Sequence, residues 1–158
     1  MTRGPRYPLE ALLRLREEIR KQRELGLAEA TRALEVAEGT LMEARNRHRG
    51  HLDRIGERKQ RAFDEGAGAA ARRVEHSLHL ARLEAEAEVL LDAVRESETL
   101  RDNAAVAREA ARQALAEAEA ELKVVEKNRE AWSEARRREA LARAEAELED
   151  LVAARRRD

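Results

Sequence analysis

The chain has 158 residues, 41% charged and 2% aromatic, with 32 basic against 33 acidic side chains and a net charge of −1. So few aromatics exclude a thick globular core. The interleaved charges lack the one-sided basic stripe of a nucleic-acid binder, and the absence of cysteine excludes disulfides and thiol chemistry.

An Ala-Glu-Arg-Leu composition with helical periodicity is the profile of a coiled coil or long helix. Disorder competes for so charged a chain, but the sustained heptads described below favour helix. No apolar run approaches the roughly 20 residues that span a bilayer. The segment from Met1 to Leu13 lacks the continuous apolar stretch of a secretory signal.

In chain order, Gly4, Pro5 and Pro8 keep residues 1–8 non-helical. Pro8 suits a first helical turn, where its missing N–H costs nothing. Helix 1 is predicted over 9–63. Its early seam reads Leu12, Leu15, Ile19. A later phase reads Ala30, Leu34, Ala37, Leu41, Ala44, His48, His51, Ile55. The phases slip by about one residue near Gly26 and Leu27, which predicts local unwinding there. Gly26, Gly39, Gly50 and Gly56 each cost about 1 kcal/mol relative to alanine inside a helix, so helix 1 should be the softer one.

Residues 64–71 are predicted to turn. Gly66 and Gly68 supply the left-handed backbone that follows a helix end, and the seam is lost there until Val74. A continuous helix through this segment is the alternative. A short link between two long helices makes an antiparallel hairpin.

Helix 2 is predicted over 72–156. One seam column is Leu83, Leu90, Ser97, Ala104, Ala111, Ala118, Val125 and Trp132. The other is Leu80, Ala87, Val94, Arg101, Arg108, Leu115, Leu122 and Arg129. This 3–4 spacing is that of a helix with a partner lying along it, and no proline follows Pro8 to break it. Arg101 and Arg108 must snorkel or pair; a turn near 67 would set Arg108 opposite Gly26, where there is room. The alanines make the middle of the seam thin. Arg155, Arg156 and Arg157 complement the helix C-terminal dipole.

A turn near 67 also pairs Leu9 with about Val125. The remaining residues, roughly 50 Å of helix at 1.5 Å per residue, then overhang without an intramolecular partner. They carry Trp132, Leu141, Leu148, Leu151 and Val152. Such a stripe suggests a docking surface for another protein; a solvated tail and pairing with a second copy are the alternatives. The fold class is thus all-α: a long antiparallel two-helix coiled-coil hairpin with an overhanging C-terminal helix, forming one domain.

Little in the chain suggests catalysis. His48 with His51, and His76 with His79, have the i, i+3 spacing of metal ligands. The two pairs meet only if the turn centres near 63 or 64, and the simpler reading is partly exposed histidines. Runs such as Glu84, Glu86 and Glu88 read as solvated faces. Gly66 and Gly68 lack the Lys-Ser/Thr of a phosphate-binding loop. A two-helix rod also has no desolvated cleft in which to separate carboxylate pKa values. No enzyme activity, cofactor or metal site is expected.

The opening Arg6-Tyr7-Pro8-Leu9-Glu10-Ala11-Leu12-Leu13-Arg14-Leu15-Arg16-Glu17-Glu18 resembles the start of bacterial type III secretion stalk proteins. These are the YscO-like proteins of the injectisome and their flagellar relatives, the FliJ-like proteins. The stretch Val125-Glu126-Lys127-Asn128-Arg129-Glu130-Ala131-Trp132 and its Glu/Arg-rich continuation to Leu151 fit the YscO side. The resemblance implies a cytoplasmic protein at the inner-membrane secretion apparatus, without membrane insertion. It implies a central stalk that couples a hexameric export ATPase to the cytoplasmic domain of the export gate and binds or recycles secretion chaperones.

By that resemblance, Leu9, Leu12, Leu13, Trp132, Arg136 and Leu141 are candidates for the ATPase contact. Arg54, Arg58, Phe63, Val74 and Leu78 are candidates for the gate contact. The rival reading is a scaffolding coiled coil, a homodimeric rod. A hairpin monomer would measure about 130 Å and a straight dimer about 220 Å, by the rise of the helix.

Overall fold

The structure, a computed structural model, describes residues 6–64 and 70–155. It consists of two helices that pack against each other: α1, Glu10–Asp64, and α2, Ala70–Arg155. The expected turn glycines Gly66 and Gly68 lie outside the described residues.

Helix α1 begins where the sequence permits. The Glu10 amide donates to the Tyr7 carbonyl at 3.3 Å, closing a turn over Pro8 and Leu9. Proline's fixed φ suits the second position of such a turn. The Leu13 amide then donates to the Leu9 carbonyl at 2.9 Å, the first helical link.

The packing divides the chain into two units. One comprises Met1–Gly26 with Arg112–Asp158, the terminal unit; the other is Leu27–Ala111, the inner unit. In each, α1 and α2 run antiparallel. In the terminal unit Arg16 pairs with Glu121, while Tyr7 reaches Asn128. In the inner unit Arg45 meets Glu98 at 2.7 Å and Lys59 meets Glu84 at 2.9 Å. These exposed pairs are worth well under about 1 kcal/mol each, but they mark the register.

The first helix-2 column predicted from heptads turns inward throughout. Leu83, Leu90, Ala104, Ala111 and Trp132 are half-buried, and Ser97, Ala118 and Val125 are buried. Ser97 satisfies its hydroxyl locally by donating to the Ala93 carbonyl at 2.8 Å. The second column needs correction at two places: Arg108 and Arg129 are exposed, although Arg101 stays half-buried. Burying a guanidinium without a partner is costly, and a long stem lets it reach water.

On α1 the later phase holds, with Leu41, Ala44, His51 and Ile55 buried and Ala30, Leu34, Ala37 and His48 half-buried. The early phase is corrected. Leu15 is 56% exposed, and Leu13, at 2%, is the residue that points inward.

Candidate interaction surfaces

The terminal unit contains the best-formed cluster. Tyr7, Leu13, Leu122 and Val125 are buried together, with Leu12 and Trp132 packed against them. Tyr7 lies before the first helical residue, yet it is buried. Its hydroxyl donates to Asn128 Oδ1 at 2.7 Å, with a longer approach of 3.4 Å to the Val125 carbonyl. Its ring meets Trp132 edge-to-face, centroids 5.6 Å apart and planes at 60°. That geometry matches the positive edge of one ring to the negative face of another. The Arg136 guanidinium lies 5.8 Å from the centre of the Trp132 ring and bonds Glu139 Oε2 at 2.8 Å. A cation above an indole is attracted to its electron-rich face.

This arrangement corrects the pairing expected from sequence. Trp132 is not in an unpartnered overhang, because the segment before α1 folds onto α2 and covers part of it. Pairing in this unit extends through Ser133, which is half-buried, and residues 134–155 are all exposed. The exposed stretch is about 33 Å of helix at 1.5 Å per residue. It carries Leu141, Leu148, Leu151 and Val152, each at least half exposed.

Among the residues expected at the ATPase contact, Trp132 and Leu12 are half-buried, Arg136 covers the indole, and Leu9 and Leu141 are exposed. Leu13 is the correction: it belongs to the core and offers a partner no surface. A shallow groove beside the cluster is bordered by Arg6, Arg14, Arg129 and Trp132. Sequence reasoning did not single out Tyr7 or Asn128 as structural residues. The available signal was an aromatic just ahead of a proline-led helix start, a position that often packs back onto a neighbouring helix turn.

The inner unit presents the other set. Phe63 is 82% exposed, and Val74, Leu78 and Arg54 are also exposed. Arg58 is half-buried, and its Nε is enclosed without a hydrogen-bond partner.

The histidines do not converge. The buried His51 places Nε2 2.8 Å from the Leu83 carbonyl and 3.7 Å from Glu86 Oε2. A carbonyl only accepts, so Nε2 carries the proton in that contact. With His51 opposite Leu83, the His48/His51 pair is offset from His76 and His79. Among the described residues no group of three or more His, Cys, Asp or Glu side chains could hold a metal ion.

A family model described as YscO-like protein matches residues 4–154, nearly the whole chain. The chain belongs to the YscO-like family. No curated protein and no solved structure matches it. Membership makes this a type III secretion-related protein. Among the described residues of this YscO-like protein, no helix is long and apolar enough to cross a membrane.

Proposed function

We propose that this YscO-like protein is a non-enzymatic central stalk of a type III secretion system, cytoplasmic and peripheral to the inner-membrane apparatus. Its terminal unit engages the pore of the hexameric export ATPase. Leu9, Leu12, Trp132, Arg136 and Leu141 supply the contact, and Leu13 supports them from within. The exposed Phe63, Val74 and Leu78, with Arg54 and Arg58, face the cytoplasmic domain of the export gate. The apolar end of α2 also suits binding or recycling of secretion chaperones.

One observation carries this reading. The family match spans a two-helix chain whose α2 outlasts its pairing with α1 and leaves an apolar stripe in water. A stripe of that kind on a helix marks a surface for another protein.

The mechanism is mechanical coupling. A single asymmetric chain inside a sixfold ring touches six identical subunits unequally. Its binding energy therefore differs between their conformational states, and only such a difference can bias their equilibrium. ATP hydrolysis by the purified cognate export ATPase, with and without stoichiometric stalk, tests this. Stimulation with ring assembly is expected. No binding and no stimulation by well-folded protein would reject the coupling role.

A further inference from the structure

In the inner unit, an apolar stripe runs along the side of α2 that faces away from α1. Val74, Leu78 and Val89 are each more than half exposed, and Ala70, Ala81 and Ala85 in line with them are exposed as well. The six follow at intervals of 4, 4, 3, 4 and 4, so they share one face of the helix. The inward column of Leu80, Leu83, Ala87 and Leu90 lies about half a turn away.

The stripe reads the same in both directions, with sizes exchanged. Residue numbers that sum to 159 pair Ala70 with Val89, Val74 with Ala85 and Leu78 with Ala81. Each pair joins one large side chain to one alanine. Charge follows the same rule. Glu75 and Arg82 each directly follow a stripe residue, so both flank the stripe on the same side. Their numbers sum to 157, so a reversed copy of the helix brings each within two residues of the other's position. Among the described residues neither of them has an ion pair. The inner four, Val74, Leu78, Ala81 and Ala85, keep the 4–3–4 spacing of a two-stranded coiled-coil seam.

We infer that this face pairs with the same face of a second copy, antiparallel, about a two-fold axis between His79 and Leu80. In that register every large side chain of one copy meets an alanine of the other, as interdigitating layers require. Glu75 of each copy stands beside Arg82 of the other, so the register that matches the apolar groups also matches the charges. A parallel pair would stack Leu78 on Leu78 and Ala81 on Ala81, alternating crowded and thin layers. It would also leave Glu75 and Arg82 about 10 Å apart along the axis. The antiparallel interface is isologous, as a closed dimer requires.

One leucine, two valines and three alanines per copy cover less area than a stable complex does. The association is therefore weak and reversible. It covers Val74 and Leu78 in the free chain and yields to any partner that binds them more tightly. It stands independently of the stalk assignment.

The absence of cysteine makes the test clean. Val74→Cys and Ala85→Cys are introduced singly into the full chain, and the two proteins are mixed in equal amounts and oxidised mildly. In the antiparallel register residue 74 of one copy faces residue 85 of the other, whereas like positions lie about 16 Å apart along the axis. A disulfide needs Cβ atoms about 4 Å apart. Intact mass separates the mixed disulfide dimer from the two like-with-like dimers. The expected result is a mixed dimer at least roughly tenfold more abundant than either like-with-like dimer. Arg82→Glu in both proteins should lower its yield, and adding Glu75→Arg should restore it. An excess of like-with-like dimers would mean parallel pairing, a statistical mixture would mean chance collision, and no dimer would leave the stripe unpaired. Each of those three results overturns the proposal.

Discussion

Around Tyr7, Leu13, Leu122, Val125 and Trp132 five large side chains converge, and one of them is anchored by a hydroxyl on Asn128. Around Leu41, Ala44 and Val94 the cluster has two branched side chains and an alanine. Both units use the same 3–4 seam, yet they bury different amounts of apolar surface. Large side chains dominate burial energetics, while each alanine adds little. Heptad spacing thus sets where two helices touch, and residue size sets how firmly. In this chain the firm contact lies beside the residues proposed for the ATPase.

The sharpest way to break that contrast is truncation of the two seams. Leu13→Ala should cost about 2–5 kcal/mol, the range for a well-packed buried leucine. Leu41→Ala should fall toward the low end of that range because its neighbours are smaller. Urea unfolding followed by helicity, together with Trp132 fluorescence, measures both. Equal costs would erase the difference between the units.

In the inner unit, Gly39 and Gly50 sit inside α1, and a Cβ added at either would meet no atom within 4 Å. Gly39→Ala and Gly50→Ala should each stabilise by about 1 kcal/mol. A rise in melting temperature for both variants checks this, and a fall would mean that these positions are crowded after all.

Tyr7→Phe isolates the anchor in the terminal unit. Losing the hydroxyl that donates to Asn128 should cost about 0.5–1.5 kcal/mol. The accompanying change in Trp132 fluorescence should appear without loss of helicity, since Tyr7 precedes α1. Smallest of all, Arg45→Ala should change stability by no more than about 0.5 kcal/mol, because its pair with Glu98 is largely exposed.

Much of this was legible in the chain. The column from Leu83 to Trp132 predicted the inward face of α2, because a sustained seam leaves few other ways to bury it. The later phase of α1, from Ala30 to Ile55, followed for the same reason. Charge was harder to read. Arg108 and Arg129 fit the heptad by position but leave it by chemistry. The end of the pairing was hidden as well. Turn counting placed it at Val125, but Tyr7, outside the helix, carries the contact on to Trp132. A residue that packs from a non-helical segment leaves no periodic trace. Leu13 rather than Leu15 turns inward, into the cluster that also holds Tyr7. Among the site candidates, the sequence indicated residues near each surface but could not separate the buried Leu13 from its exposed neighbour Leu9.

The most direct test of the account crosses the two surfaces against two activities. Trp132→Ala and Phe63→Ala are compared for stimulation of the export ATPase and for binding to the cytoplasmic domain of the export gate, with helicity as the folding control. Loss of stimulation only with Trp132→Ala, and loss of gate binding only with Phe63→Ala, is the predicted result. Full stimulation by helical Trp132→Ala, or loss of stimulation by Phe63→Ala, would contradict the assignment of the terminal unit to the ATPase.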